Sequence, residues 1–363
     1  MATTEQFPTP ESVSALSKDK HPSYQVALDQ AAKDEAEGKT PDFKDINVLN
    51  FVRQMRKAGT DATYGTSPAG VKESAQKIPM RDGYESEIKV YQPEKPAAGG
   101  SPLVVLIYGG GFVMGENRQL GPYGRGLVQL YNAVAVTISY RLAPEHKFPV
   151  GPNDAWDSFK WIAANAASLG ADPSKGFIVG GVSAGGNLSV VVAQQAIEQN
   201  ISPPITGLWL CVPIAFPNKE YVPDEFKQFY LAREENANAG ILSAKTIEAF
   251  GHHAQQDEKS PWYSPMNAKA PFQKFPPSYI EVNGCDPLRD DGIIIDKILR
   301  KNGTKTRLTA WPGLPHAHFA LLPDPELKKN AARDTMKGFA WLLGASEPAN
   351  ETIDSHIEVP ASG

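Results

Sequence analysis

Apolar residues recur along this chain with two periods, and the places where the period changes mark its elements. Residues 1–22 are polar and punctuated by proline, which predicts a loose tail. Behind Ser23 as a possible N-cap, Tyr24, Leu28, Ala31 and Ala32 fall at helical spacing, and Val48, Leu49, Val52 and Met55 do so again. Both stretches precede any strand, so their apolar stripes need a surface supplied later in the chain. They read as a lid or as a pair of ordinary packing helices. Residues 78–83 give a turn, 88–91 alternate as a strand does, and 93–101 are a linker of Pro, Ala and Gly.

From residue 103 the rhythm becomes regular. Segments 103–107, 133–140, 176–180, 205–213, 278–282 and 304–311 predict strands, and the continuous apolar run over 103–107 is expected where both faces of a sheet are covered. Between them lie helical patterns: Ala155, Phe159, Ile162, Ala163 and Ala166; Leu188, Val191, Val192 and Ala196; Ile294, Ile295, Ile298 and Leu299; and finally Ala332, Met336, Phe339, Ala340 and Leu343. Strand and helix alternate, which predicts an α/β fold with a mostly parallel central sheet flanked by helices. Residues 216–262 interrupt it with a polar, charged stretch carrying Phe216, Tyr221, Phe226, Phe229, Tyr230 and Phe250. An insertion of this kind after a sheet strand suits a second cap segment shaping a pocket. The expected organisation is therefore a tail with cap helices over 1–75, an α/β core over 76–215 and 263–345, a cap insertion over 216–262, and a polar tail over 346–363.

Composition narrows the function. The chain is 41% hydrophobic and 21% charged, with net charge −5 and pI about 5.9, so nothing draws it to nucleic acid or an anionic membrane surface. No window reaches transmembrane length, and the N-terminal residues lack the basic and apolar regions of a secretory signal. The last residues, Pro-Ala-Ser-Gly, carry no peroxisomal address. Cys211 and Cys285 sit far apart among apolar neighbours, as reduced buried thiols of a cytosolic protein would. His252-His253 lacks a carboxylate or Cys at helical ligand spacing, so no metal is expected there.

The chemistry centres on residues 178–187, I-V-G-G-V-S-A-G-G-N. A β-branched run enters, Gly181-Val-Ser183-Ala-Gly185 turns, and a helix leaves, so Ser183 stands on a sharp strand-to-helix turn with the helix N-terminus beside its hydroxyl. A glycine-rich turn without chemistry would read the same way. Activating a Ser also needs a base, an orienter for that base, and donors for an oxyanion. Asp286 and His316 follow at later strand ends, in the order Ser, Asp, His, and strand-end loops of an open α/β sheet converge on one rim. Tyr108-Gly109-Gly110-Gly111-Phe112, directly after a buried strand, offers backbone N–H groups as oxyanion donors. Asp290 and Asp291 rival Asp286 but suit the capping of the next helix, and His318 rivals His316, which the Gly313–Pro315 turn presents at its apex.

Together Tyr108-Gly-Gly-Gly-Phe112, Tyr140-Arg-Leu-Ala-Pro-Glu145, Gly181-Val-Ser-Ala-Gly-Gly-Asn187, Asp286-Pro-Leu-Arg-Asp-Asp-Gly292 and Gly313-Leu-Pro-His316 resemble the hormone-sensitive-lipase-like family of α/β-hydrolases over about residues 45–343. The resemblance implies an α/β-hydrolase fold with a helical cap and a cofactor-independent carboxylesterase acting on small-molecule acyl esters of short to medium length. It implies Ser183 as nucleophile, Asp286 and His316 as its partners, and the N–H groups of Gly110, Gly111 and Ala184 as oxyanion hole. Homodimers are common in that family. Two positions depart from its pattern: Tyr108 stands where His is usual, which leaves the anchoring of the glycine loop open, and Val182 replaces the usual Asp or Thr. Two alternatives stay open: the same machinery acting on an amide, lactone or acetylated metabolite, and a silent small-molecule receptor like those plant proteins that share the fold but have lost the His.

Overall fold

A computed structural model describes residues 6–357. The expectations about leader and peroxisomal sequences at the two extremes lie outside those residues. The chain opens with α1 (Pro10–Ser14), capped by Thr9, and runs through a 3₁₀ turn to α2 (Pro22–Ala36) and α3 (Ile46–Thr63). Strands β1 (Val71–Pro79), β2 (Glu85–Pro93) and β3 (Leu103–Ile107) follow, then α4 (Gly121–Tyr131) and β4 (Val134–Ile138). Helix α5 (Val150–Ala164) leads to β5 (Phe177–Val182), α6 (Ala184–Glu198) and β6 (Gly207–Cys211). The insertion carries α7 (Ala232–Glu235) and α8 (Ala244–Ala254). It is followed by β7 (Ser278–Asn283), α9 (Arg289–Lys301), β8 (Thr306–Trp311), α10 (His318–Leu321), α11 (Pro325–Leu343) and α12 (Asn350–His356).

The strands form one sheet in the order β1-β2-β4-β3-β5-β6-β7-β8, antiparallel at β1, β2 and β4 and parallel from β4 to β8. Side-chain alternation on β7 shows how the layers lie. Tyr279 meets α11, where a Cβ at Gly338 would come within 2.1 Å of its ring, and Glu281 reaches Thr335 of the same helix. Ile280 and Val282 point the other way, against Gly292 of α9. Every residue of β3 to β7 is buried, which accounts for the unbroken apolar run of β3. The chain passes from β3 to β4 on one side and later returns to place β5 on the other. The carboxyl ends of β3 and β5 therefore flank a topological switch point, where helices diverge and a crevice opens.

Four segments differ from the expectation. Strand β1 buries only Val71 and Ile78 fully, because as the edge strand it shows most of its length to solvent and carries little apolar signal. Helix α4 has no counterpart among the expected elements: Gly121, Gly124 and Gly126 break its apolar spacing, and Tyr64, Tyr91 and Ile357 press against its backbone where side chains would stand. Residues 7–21 are not loose: Val13 is fully buried, Lys297 Nζ donates to Phe7 O at 2.7 Å, and Gly313 N donates to Leu16 O at 2.8 Å. Nor are residues 350–357 a tail, since α12 buries Ile353 completely and Arg333 pairs with Asp354.

Candidate active site

Helix α6 begins one residue after β5 ends, so Ser183 alone makes the turn. Its φ of 57° and ψ of −117° are strained for a residue with a Cβ, and its N–H is held by Cys211 O at 2.8 Å. The flanking glycines are required by space. A Cβ on Gly181 would lie 2.4 Å from Ile107 O, and one on Gly185 would lie 2.0 Å from that same oxygen. Two glycines thus let the Ser183 turn press against the end of β3.

The glycine loop leaves β3 beside this turn. A Cβ on Gly109 would stand 3.1 Å from Ser183 Cβ, and Gly110 and Gly111 take φ values of +132° and +62° that favour glycine. Among the described residues the N–H groups of Gly110, Gly111 and Ala184 donate to no backbone acceptor. Ala184 is the first residue of α6, where such a group is unpaired by geometry. Tyr108 answers how the loop is anchored. Its hydroxyl donates to Tyr140 O and the Tyr140 hydroxyl donates to Tyr108 O, each at 3.1 Å, with the rings stacked 4.4 Å apart. Tyr140 opens the Tyr-Arg-Leu-Ala-Pro-Glu motif, but sequence alone gave it no partner.

Asp286 and His316 come from loops stitched together beyond β7 and β8. Gly284 N donates to Trp311 O, Cys285 N to Leu314 O, and Asn283 Nδ2 to Pro315 O at 2.6 Å. Asp286 is fully buried; one carboxylate oxygen accepts Leu288 N at 2.8 Å and the other accepts His316 Nδ1–H at 2.6 Å. The Ser183 hydroxyl donates to His316 Nε2 at 2.9 Å. The three side chains, scattered over more than a hundred positions, form one continuous chain of hydrogen bonds at the sheet's rim.

The rivals have other work. Asp290 and Asp291 lie in the first turn of α9, yet they bind the insertion rather than cap their own helix. Asp290 accepts Leu231 N and Ala232 N at 2.6 Å each, and Asp291 accepts Ala215 N at 2.8 Å and Phe216 N at 3.0 Å. The Arg233 guanidinium lies 3.3 Å from Asp291, whose pKa burial nonetheless raises to about 6. His318 is buried against Trp311, neither of its ring nitrogens has a partner among the described residues, and burial pushes its pKa down to about 3. It is a neutral packing residue. His253 lies 2.8 Å from Phe43 O through Nε2, joining α8 to the segment ahead of α3.

Above the rim, α3, the insertion and residues around 320 enclose a cavity of about 550 Å³ with Ser183 and His316 in its wall. Phe43, Met114, Ile214, Leu242 and Phe250 give it an apolar lining. Phe250 lies so close to the glycine loop that a Cβ on Gly111 would fall within 2.2 Å of its ring. No helix among the described residues is long and apolar enough to cross a membrane.

The doubly flanked sheet with a glycine-bounded turn after β5 defines an α/β-hydrolase. A family model described as the alpha/beta hydrolase fold matches residues 104–320. An AB hydrolase superfamily protein of Schizosaccharomyces pombe is 38% identical over 73% of this chain and 78% of its own. A carboxylesterase of Mycobacterium tuberculosis is 33% identical over 67% of this chain and 74% of its own. Among solved structures, vibralactone cyclase superposes with a TM-score of 0.75 at 28% identity, covering 91% of this chain and 96% of its own. This chain belongs to the hormone-sensitive-lipase-like esterase family, and it is a hydrolase with an esterase-type function.

Proposed function

We propose that the protein is a serine carboxylesterase that cleaves small acyl esters of short to medium length through an acyl-enzyme. The observation that carries this reading is the relay Ser183–His316–Asp286, at 2.9 and 2.6 Å, facing the unpaired N–H groups of Gly110, Gly111 and Ala184. In this scheme His316 Nε2 takes the Ser183 proton as Oγ attacks the ester carbonyl, and Asp286 holds the resulting imidazolium. The oxyanion is received by N–H groups fixed before the reaction, so no reorganisation is needed as charge develops. His316 then returns the proton to the leaving alcohol, and water repeats the sequence to free the acid.

The carboxylesterase among its relatives supports the ester as substrate, and a 550 Å³ apolar cavity suits acyl chains of modest length. The presence of His316 within hydrogen-bonding reach of Ser183 argues against the silent receptor. Likeness to vibralactone cyclase favours a second reading, in which the same serine works on a lactone. Cys211 and Cys285 are free and buried, in keeping with a reducing compartment such as the cytosol.

The test is hydrolysis of p-nitrophenyl butyrate, with Ser183→Ala expected to lower kcat by about 10⁶ and to abolish labelling by a fluorophosphonate probe. A Ser183→Ala protein as fast as the parent would overturn the proposal. A panel of esters and lactones separates the two substrate readings.

A further inference from the structure

The wall of the cavity is electrically one-sided. Its charged side chains are Arg56 and Lys328, and no carboxylate lines it among the described residues. Arg56 stands on α3 with Gly59 and Thr63, at spacings of three and four residues, so the three share the helix face turned to the cavity.

Arg56 is also chemically unspent. One turn earlier Arg53 is saturated: Nε donates to Val113 O at 2.6 Å, Nη1 to Glu145 at 2.7 Å, and Nη2 to Ala143 O. Every other arginine of the chain has a hydrogen-bonded or ionic partner. Arg56 has none among the described residues, and it stands exposed where it lines the cavity. Its accessible surface opens onto the cavity and onto a smaller neighbouring cleft. The carboxylates of that cleft, Glu116 and Glu145, are already held by Arg118 and Arg53. One turn further along the same face, a Cβ built on Gly59 would meet nothing within 4 Å.

A guanidinium in the wall of a cavity that offers no carboxylate of its own is free to take an anion from a ligand, and its planar fork matches a carboxylate in two parallel bonds. We infer that Arg56 is a specificity residue that binds a carboxylate carried by the substrate, so that the preferred esters are those of acids or alcohols bearing a second, free carboxylate. This rests on the serine esterase reading above. It adds the chemical class of the substrate and a cap residue that selects it.

Three probes test it: p-nitrophenyl butyrate as the neutral ester, the mono-p-nitrophenyl ester of glutaric acid, and 4-acetoxybenzoate, which places the charge on the leaving group. Arg56→Ala is expected to lower kcat/KM by roughly 10- to 100-fold on at least one charged ester, chiefly through KM, while the neutral ester stays within about threefold. Arg56→Lys, which keeps the charge but loses the fork, should fall between. Binding is followed separately by calorimetry in the Ser183→Ala background, where the glutarate monoester should bind and Arg56→Ala should abolish its heat. Equal effects of Arg56→Ala on all three esters, or unchanged binding of the monoester, overturn the inference. Hydrolysis of butyrate that survives such a result leaves the esterase reading standing. Failure of Ser183→Ala to stop any hydrolysis is instead the failure of that reading.

Discussion

The rim of the sheet and the cap above it face the same cavity but are built on opposite principles. At the rim, Ser183, Asp286 and His316 hang from loops one to five residues beyond the ends of β5, β7 and β8. Each loop is pinned by main-chain bonds such as Ser183 N to Cys211 O and Cys285 N to Leu314 O. Strand register places the chemistry there. In the cap, α8 and the segment leading into α3 exchange few polar contacts, chiefly His253 to Phe43 O and the exposed pair Lys44–Glu248. What it turns to the cavity is side chain: Phe43, Arg56, Phe250. Changes at the rim should therefore cost rate on every ester alike, and changes in the cap should redistribute preference among esters.

The comparison breaks most visibly at Asp286. Asp286→Asn keeps the shape but removes the acceptor that fixes the His316 tautomer, and kcat should fall by about 10⁴ with KM little changed, on short and long esters alike. Steady-state kinetics on two chain lengths check this; a loss confined to one of them would blur rim into cap.

The joint between the regions comes next. Asp291→Ala strips the ionic partner from Arg233 and leaves Ala215 N and Phe216 N unmet, for an expected loss of about 3–5 kcal/mol in urea unfolding.

Beneath the rim, Glu281 accepts Trp209 Nε1–H at 2.8 Å and the Thr335 hydroxyl at 3.0 Å. Burial, with repulsion from Asp334, pushes its pKa up to about 8. Since the folded state holds this proton more tightly than the unfolded chain, the native carboxyl is favoured below about pH 4.5. That advantage is lost progressively as pH rises through about 8. Glu281→Gln should flatten this alkaline decline, seen as a Tm gap over the parent that widens from pH 6 to pH 9. A constant gap would mean that the carboxyl does not titrate there.

The smallest effect is expected in the cap. Phe250→Ala removes a ring lying over Gly111 and should shift the ratio of kcat/KM between hexanoate and acetate esters by up to about 10-fold, with stability nearly unchanged. A uniform rate loss would assign Phe250 to the rim instead.

What could be read from the letters follows the same division. Strands covered on both faces advertise themselves as unbroken apolar runs, and the glycines around Ser183 are forced by approaches near 2 Å, so the rim was legible from β3 onward. The cap helices were visible by their spacing, but Arg56 was not: an arginine on a polar helix face looks like any solvated charge until its neighbours are known. Helix α4 was hidden because its glycines answer to tyrosines 30 to 60 residues away, a demand that no local pattern reveals. Asp290 and Asp291 misled for a related reason, since an acid in the first turn of a helix looks like a cap even when distant N–H groups have claimed it.

The segment around residues 13–21 threads between the two loops that carry Asp286 and His316, so tightly that a Cβ at Gly284 would lie 1.9 Å from Leu16 O and one at Gly313 would lie 2.0 Å from Asp19 O. During synthesis this first stretch emerges from the ribosome some three hundred residues before its seat exists, and it must wait unplaced until β8 is made. A recombinant version trimmed to start at α2 would keep Ser183, Asp286 and His316 and lose the wedge between the loops that carry the last two, so its half-life on warming, rather than its initial activity, is where the shortening should tell.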